Sequence, residues 1–350
     1  MDKINEISAE DMLKKVMEED PYYDVNTGKT VYVQKKVVPL HGSNKIPMPI
    51  PFDEFVKDRP EKTEYVINDY LPTEGIAMIY APSGAGKTLF ALNLAYAIAQ
   101  GKPFLGLQAT KPRRVLFIDA EMSHNELWER SIATEMSQGI LDFPTNLQII
   151  TQKKLAPHPM PHLDDPRGQE QIMYWMLECN FDVVIFDNLG FLTSIDLNRG
   201  SEWKIVQDFF MKLRKTGKTT IFIHHAGKGG DYAGSSRIIH SLNLCLAIRP
   251  VIEDTKDPNA VIDKKFRIIF EKVRQTCNKG AASFEATLHQ NGQWSTTSLE
   301  QTDLCRVAEL VELKMSQRNI AEELGLNLSK VHRMIKKAKA QKLIRSDNLE

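Results

Sequence analysis

The chain has 350 residues, 42% hydrophobic and 26% charged, with 45 basic and 45 acidic side chains. That composition describes a soluble globular protein with room for one large domain and a smaller module. No apolar run approaches the roughly 20 residues that cross a bilayer, the acidic stretch from Met1 to Asp20 lacks a secretory signal pattern, and a cytoplasmic location with no membrane partner is expected.

A formal charge of zero gives no global attraction to nucleic acid, so any such partner must be held by local cation clusters. Cys179, Cys245, Cys277 and Cys305 form no C-x-x-C pair, which argues against zinc and redox motifs. Residues 1–60 read as an N-terminal extension. It holds an acidic amphipathic stretch over 7–19, a hairpin about Asn26-Thr27-Gly28 and a strand-like run over 30–38. An extended linker follows, carrying Pro39, Pro47, Pro49, Pro51 and Pro60 and poor in helix potential.

From 61 to 297 short apolar runs alternate with helix-length segments. Strands are predicted over 76–80, 114–118, 147–150, 182–186 and 219–223, and helices over 87–100, 126–136, 169–179 and 202–216. The alternation predicts an α/β fold with a mainly parallel sheet and crossover helices. Runs over 242–248, 266–270 and 282–288 have little helix between them and predict an antiparallel extension on one edge.

The chemistry starts where the first strand ends in Ala81-Pro82-Ser83-Gly84-Ala85-Gly86-Lys87-Thr88 and the chain enters a helix. Small residues let successive backbone amides converge on a phosphate, and the helix N-terminus adds its positive dipole end. Lys87 can then reach the β- and γ-phosphates of ATP, and the Thr88 hydroxyl can ligate Mg2+. Ala81 stands where the motif usually begins with Gly. Asp187 closes the apolar run 182–186, a strand expected beside the P-loop strand, where its carboxylate can hold the Mg2+ shell. Glu121 follows the strand 114–118; if that strand neighbours the P-loop strand, Glu121 faces the γ-phosphate and can activate water. Asp119 is its rival, and the alternative role is a carboxylate at a helix N-terminus capped by Ser123. His224 and His225 end the strand 219–223, and either imidazole, His225 ahead of His224, can sense the γ-phosphate.

In order and spacing, APSGAGKT (81–88), FIDAEMS (117–123), VVIFDN (183–188) and FIHHAGKG (222–229) resemble the RecA-like hexameric helicases, particularly the RepA-type AAA ATPases of plasmids and phages. The resemblance runs from about 71 to 294. It implies a homohexameric ring that hydrolyses ATP between subunits and moves single-stranded DNA through its centre, with Glu121 as catalytic glutamate and Asp187 as magnesium aspartate. One place departs: Tyr232-Ala233-Gly234-Ser235-Ser236 carries Ala233 where RepA-type members place an arginine that reaches the neighbour's ATP. Glu271-Lys272-Val273-Arg274 resembles the Lys-x-Arg motif of other ring helicases and offers Lys272 and Arg274 instead, with Arg237 as second candidate; surface cations on an edge strand are the alternative. Two loops can meet DNA, 188–201 with Arg199 and the glycine-rich 226–237 with Lys228 and Arg237.

Residues 301–350 read as a helix-turn-helix. Ala321 lies at the helix crossing and Gly325 at the turn, and Ile320, Leu324, Leu326, Val331 and Met334 point inward. The second helix, over 328–341, displays Lys330, Arg333, Lys336 and Lys337, which suits the major groove of duplex DNA or a phosphate track, with a helical hairpin of solvated basic face or a protein-docking role as the alternative. The function expected is an ATP-dependent DNA helicase or translocase in replication, with a DNA-binding regulatory ATPase and a recombination ATPase as rivals.

Overall fold

A computed structural model describes residues 21–24, 29–32, 49–58, 62–137, 143–227, 231–251, 263–274, 282–341 and 343–344. The chain divides into two compact units, Met1–Glu61 and Lys62–Glu350. In the first, Pro21–Asp24 pairs antiparallel with Lys29–Tyr32. The proline-rich linker is not extended throughout: Phe52–Lys57 is a helix with Pro51 at its N-cap. A proline at a helix start removes no bond, because the first amides have no intrahelical partner. The amphipathic stretch 7–19 and the turn Asn26-Thr27-Gly28 lie outside the described residues.

The second unit is built on a nine-stranded sheet. Its strands are β1 (Ile76–Ala81), β2 (Val115–Asp119), β3 (Leu147–Thr151), β4 (Val183–Asp187), β5 (Thr219–His225), β6 (Leu244–Val251), β7 (Lys264–Val273), β8 (Phe284–Leu288) and β9 (Trp294–Ser298). Their spatial order is β9-β8-β7-β6-β1-β5-β4-β2-β3. From β3 to β6 all neighbours are parallel, and β7, β8 and β9 continue antiparallel. The apolar run over 242–248 therefore belongs to the parallel part rather than to the antiparallel edge. The connection from β5 to β6 returns the chain to the start of the sheet, so β6 re-enters in the direction of β1.

Helices α1 (Lys87–Gln100) and α2 (His124–Ser137) follow β1 and β2, while α3 (Pro166–Glu178) and α4 (Gly200–Lys215) follow β3 and β4. Alternate β1 residues serve the two faces, as the strand period of two requires. Ala77 and Ile79 pack with Leu94 of α1 and Leu127 of α2, and Ile76, Met78 and Tyr80 join the cluster that holds Ile172 of α3 and Trp203 and Phe210 of α4. Right-handed crossovers make this inevitable: steps outward from β1 through β2 to β3 put helices on one face, and steps back to β4 and β5 put them on the other. Two sequence expectations are corrected by this winding. β5 sits between β1 and the Asp187 strand, and the Glu121 strand lies beyond both, not beside β1.

After β9 come α5 (Leu299–Glu312), α6 (Gln317–Glu323) and α7 (Leu328–Ala340). Each begins at a side-chain cap: Ser298 accepts from the Gln301 amide, Ser316 from Asn319 and Asn327 from Lys330. Gly325, at φ 62°, makes the turn between α6 and α7. Leu304, Val307, Ile320, Val331, Met334 and Ala338 form a separate apolar cluster, with Ala321, Leu324 and Leu326 packed against it.

Candidate nucleotide site

The ends of β1, β5, β4 and β2 converge where the winding of the sheet reverses, the place where parallel α/β sheets bind ligands. β1 runs into the loop 82–86, in which Gly84 and Gly86 adopt φ of 74° and 75°. Those left-handed angles strain any residue with a Cβ, and at Gly86 a Cβ would also lie 3.3 Å from the Phe266 ring. Ala81 and Ala85 are buried, so the small residues fit by size. Gly86 is the N-cap of α1 and provides no side-chain cap, which leaves the first helical amides for an anion. Lys87 Nζ donates to the Pro82 carbonyl at 3.0 Å. Burial lowers the Lys87 pKa, opposed by the charges of Glu121 and Asp187.

Asp187 is fully buried at the end of β4 and stands in register with Asp119 on β2. Among the described residues neither Asp187 oxygen has a hydrogen bond of ordinary geometry, although the nearby Thr88 hydroxyl lowers its pKa. Burial, and then the charge of Asp119, push Asp187 up to about 7. Burial pushes Asp119 up to about 6. Two adjacent buried carboxylates beside a threonine hydroxyl are a hard-oxygen donor set, and such a set fits a divalent cation.

Both carboxyl pKa values lie above their unfolded ones, so in metal-free protein this pair favours the fold at low pH, and the contribution fades as pH rises from about 4 to about 7. Magnesium reverses the sign by favouring the ionised form. Binding of magnesium-ATP is therefore expected to release protons at about pH 6.5 and none by about pH 9. Calorimetry in buffers of different ionisation enthalpy measures this release.

Asp119 and Glu121 have different tasks. Asp119 Oδ1 accepts the amides of Glu121 at 3.1 Å and Met122 at 2.7 Å, so it fixes the turn that presents Glu121. A capping box starts α2 two residues later: Ser123 Oγ donates to Glu126 at 2.7 Å, and the Glu126 amide donates back at 3.3 Å. Glu121 itself accepts from Asn188 Nδ2, across the mouth of the site from Lys87.

His224 and His225 face opposite ways, as neighbours on a strand must. His224 is 4% exposed and bonds the Ala233 carbonyl at 2.7 Å. Burial pushes its pKa down to about 4, so it is a neutral tie between β5 and the following loop. His225 lies 3.1 Å from Asn188 Nδ2, and burial, then the Lys87 charge, lower its pKa.

The remaining sequence-derived cations lie elsewhere. Lys272 donates to the carbonyls of Ile239 and His240, and Arg274 to that of His240. Arg237 lies over the start of α4, where a Cβ on Gly200 would meet its Cδ at 2.8 Å. Arg199 pairs with Glu202 at 3.3 Å. Lys228 lies outside the described residues. In the C-terminal helices Lys330 pairs with Asp303 at 3.0 Å and Lys337 with Glu300 at 2.7 Å. Arg333 and Lys336 are exposed, with no ion pair among the described residues.

A phosphate-binding loop at a helix N-terminus, a buried carboxylate two strands away and the strand order of the sheet define a RecA-like P-loop nucleoside triphosphatase core. A family model described as an AAA domain matches residues 46–231, more than half of the 350 residues. The chain belongs to that family of ATPases. Among solved structures it is similar to a KaiC-like protein of the hyperthermophilic archaeon Pyrococcus horikoshii, at 18% identity and a TM-score of 0.45, over 67% of this chain and 100% of that one. No curated protein matches the sequence.

Proposed function

We propose that the chain is an ATP-dependent DNA helicase or translocase of the RecA-like ring type, acting in the replication of a plasmid, phage or mobile island. The amides of 81–88 hold the ATP phosphates, Lys87 neutralises them, and Thr88 and Asp187 hold magnesium. Glu121 activates the attacking water, and His225 senses the γ-phosphate. Single-stranded DNA runs through a homohexamer, where Lys228 and Arg237 meet it. The C-terminal helix-turn-helix binds duplex DNA through Arg333 and Lys336, with Lys330 and Lys337 joining once their ion pairs open.

The observation that carries this reading is the position of Lys272 and Arg274. Lys272 is in register with Cys245, at the start of β6 beside Met78 of β1, whereas the phosphate loop leaves the other end of β1. Cations placed away from their own phosphate loop suit the proposed assembly, in which they would face a neighbouring subunit's nucleotide. A regulatory ATPase that switches its assembly on duplex DNA is the second reading. It draws on the Lys330–Asp303 and Lys337–Glu300 pairs, which compete with phosphate for the same cations.

Hydrolysis measured with and without single-stranded DNA, alongside unwinding of a forked duplex, separates the two. A severalfold stimulation and ATP-dependent strand separation, both absent in Lys87→Ala, are expected. Equal unwinding by both proteins, or hydrolysis indifferent to DNA, would overturn the motor.

A further inference from the structure

Asn188 follows the proposed magnesium aspartate and is fully buried. Every polar capacity that its carboxamide offers towards the site is in use. One Nδ2 hydrogen goes to Glu121 Oε2. The other faces His225 Nε2 at 3.1 Å, which accepts it when the imidazole carries its own proton on Nδ1. Oδ1 accepts the Phe191 amide at 3.3 Å. Gly190 makes room for this arrangement, since a Cβ there would lie 3.3 Å from Asn188 Oδ1.

The amide plane is thereby pinned from three sides: by the turn after β2 through Glu121, by β5 through His225, and by the loop after β4 through Phe191. Glu121 lies outside the strands, on a turn held by Asp119. Among the described hydrogen bonds, the Asn188 contact is the one that orients its carboxylate. A flexible carboxylate would sample several rotamers, and only some of them bring an oxygen to a water in line with the γ-phosphate. Misplacement by about 1 Å can cost about 100-fold in rate.

We propose that Asn188 is a positioning residue for ATP hydrolysis, holding the Glu121 carboxylate in its working orientation through a hydrogen bond donated by Nδ2. The inference rests on Glu121 being the group that activates water. A bound water is left free to meet Glu121 Oε1, because Asn188 engages Oε2.

Two substitutions separate this role from mere pinning of the loop. Asn188→Asp is nearly isosteric and keeps the oxygen that accepts from Phe191, but it loses both donors and sets a second carboxylate against Glu121. Asn188→Ala loses everything. Steady-state hydrolysis of magnesium-ATP by the full chain, with Tm as a check on folding, is expected to show kcat reduced about 10–100-fold in both variants and KM within about twofold of wild type.

If Asn188→Asp keeps its kcat within about twofold while Asn188→Ala falls, the residue only holds the loop and the proposal is overturned. A rise in KM at unchanged kcat overturns it too, because Asn188 would then serve nucleotide binding. Glu121→Gln is measured alongside. A dead Glu121→Gln beside an active Asn188→Asp defeats the Asn188 role alone, whereas an active Glu121→Gln defeats the assignment of Glu121 and with it the inference.

Discussion

Glu121→Gln is expected to bind magnesium-ATP as tightly as the wild type and to hydrolyse it about 10²–10⁴-fold more slowly. The separation of binding from chemistry follows from the parts. In the proposed site the grip on the phosphates comes from backbone amides at the start of α1, from Lys87, and from the buried Thr88–Asp187 side. Glu121 contributes to none of these. Its carboxylate stands at the exposed end of a turn, tied to Asn188 and facing Lys87. Glutamine fills the same space and can still meet Asn188 through its oxygen, yet it cannot take a proton from water.

Asp119→Asn provides the contrast. It keeps the oxygen that accepts from the Glu121 and Met122 amides and removes a negative charge beside Asp187, so any effect should fall on magnesium dependence rather than on the chemical step. Isothermal titration for binding and a phosphate-release assay for turnover check both. If Asp119→Asn loses turnover at saturating magnesium while Glu121→Gln retains it, the two carboxylates have been given each other's roles.

Much of this site can be read from local sequence because its parts are local. The phosphate loop needs glycine at two left-handed positions and a helix straight after, and all of that lies within 81–88. Both ends of helix α1 are legible in the sequence, since they are Gly86 in the loop and Gly101, each in the left-handed conformation. The antiparallel strands Phe284–Leu288 and Lys264–Val273 show as apolar runs for a similar reason: each is set by its own alternation.

Strand order is different, because it depends on which face each crossover takes, and no residue in 114–118 or 182–186 records that β5 will slide between β1 and β4. Glu121 therefore does not stand on a strand beside β1, and it meets the site because the turn after β2 leans back over β4, with the Ala120 amide on the Asp187 carbonyl. The sequence places Asn188 in VVIFDN and at the start of the loop 188–201 but assigns its side chain no task in hydrolysis. An asparagine after an acidic residue is common at strand ends, and only the folded geometry shows its amide between Glu121 and His225. The different facing of His224 and His225 was legible in principle from strand alternation. What alternation cannot supply is which of the two turns towards Asn188 and which towards Ala233.

The other large effect concerns cations that cannot reach their own nucleotide. The Arg274 amide bonds the Asn243 carbonyl, and the Asn243 amide bonds the carbonyl of Ile76, the first residue of β1. The phosphate loop begins after Ala81, at the far end of that strand. At about 3.3 Å per residue the separation is roughly 17 Å, more than twice the reach of an extended arginine side chain. A catalytic role for Arg274 is therefore possible only across an interface, whereas Lys272, in register with Cys245 beside Met78, stands nearer the loop end of β1.

Arg274→Ala is expected to lower turnover about 10³–10⁵-fold, the range of an arginine supplied in trans, with Lys272→Ala less severe because an ammonium offers no planar fork. Both side chains also bond carbonyls of the short helix Arg237–His240, so Tm must be recorded to separate lost folding from lost chemistry. Mixing distinguishes the mechanisms. Arg274→Ala subunits keep an intact phosphate site, and Glu121→Gln subunits keep an intact Arg274. Co-assembled, they should regain measurable hydrolysis at interfaces where the second faces the first, though each is inactive alone. An additive, inactive mixture with normal Tm and normal assembly would mean that Arg274 acts on no neighbour, and the interfacial site would have to be sought at Arg237.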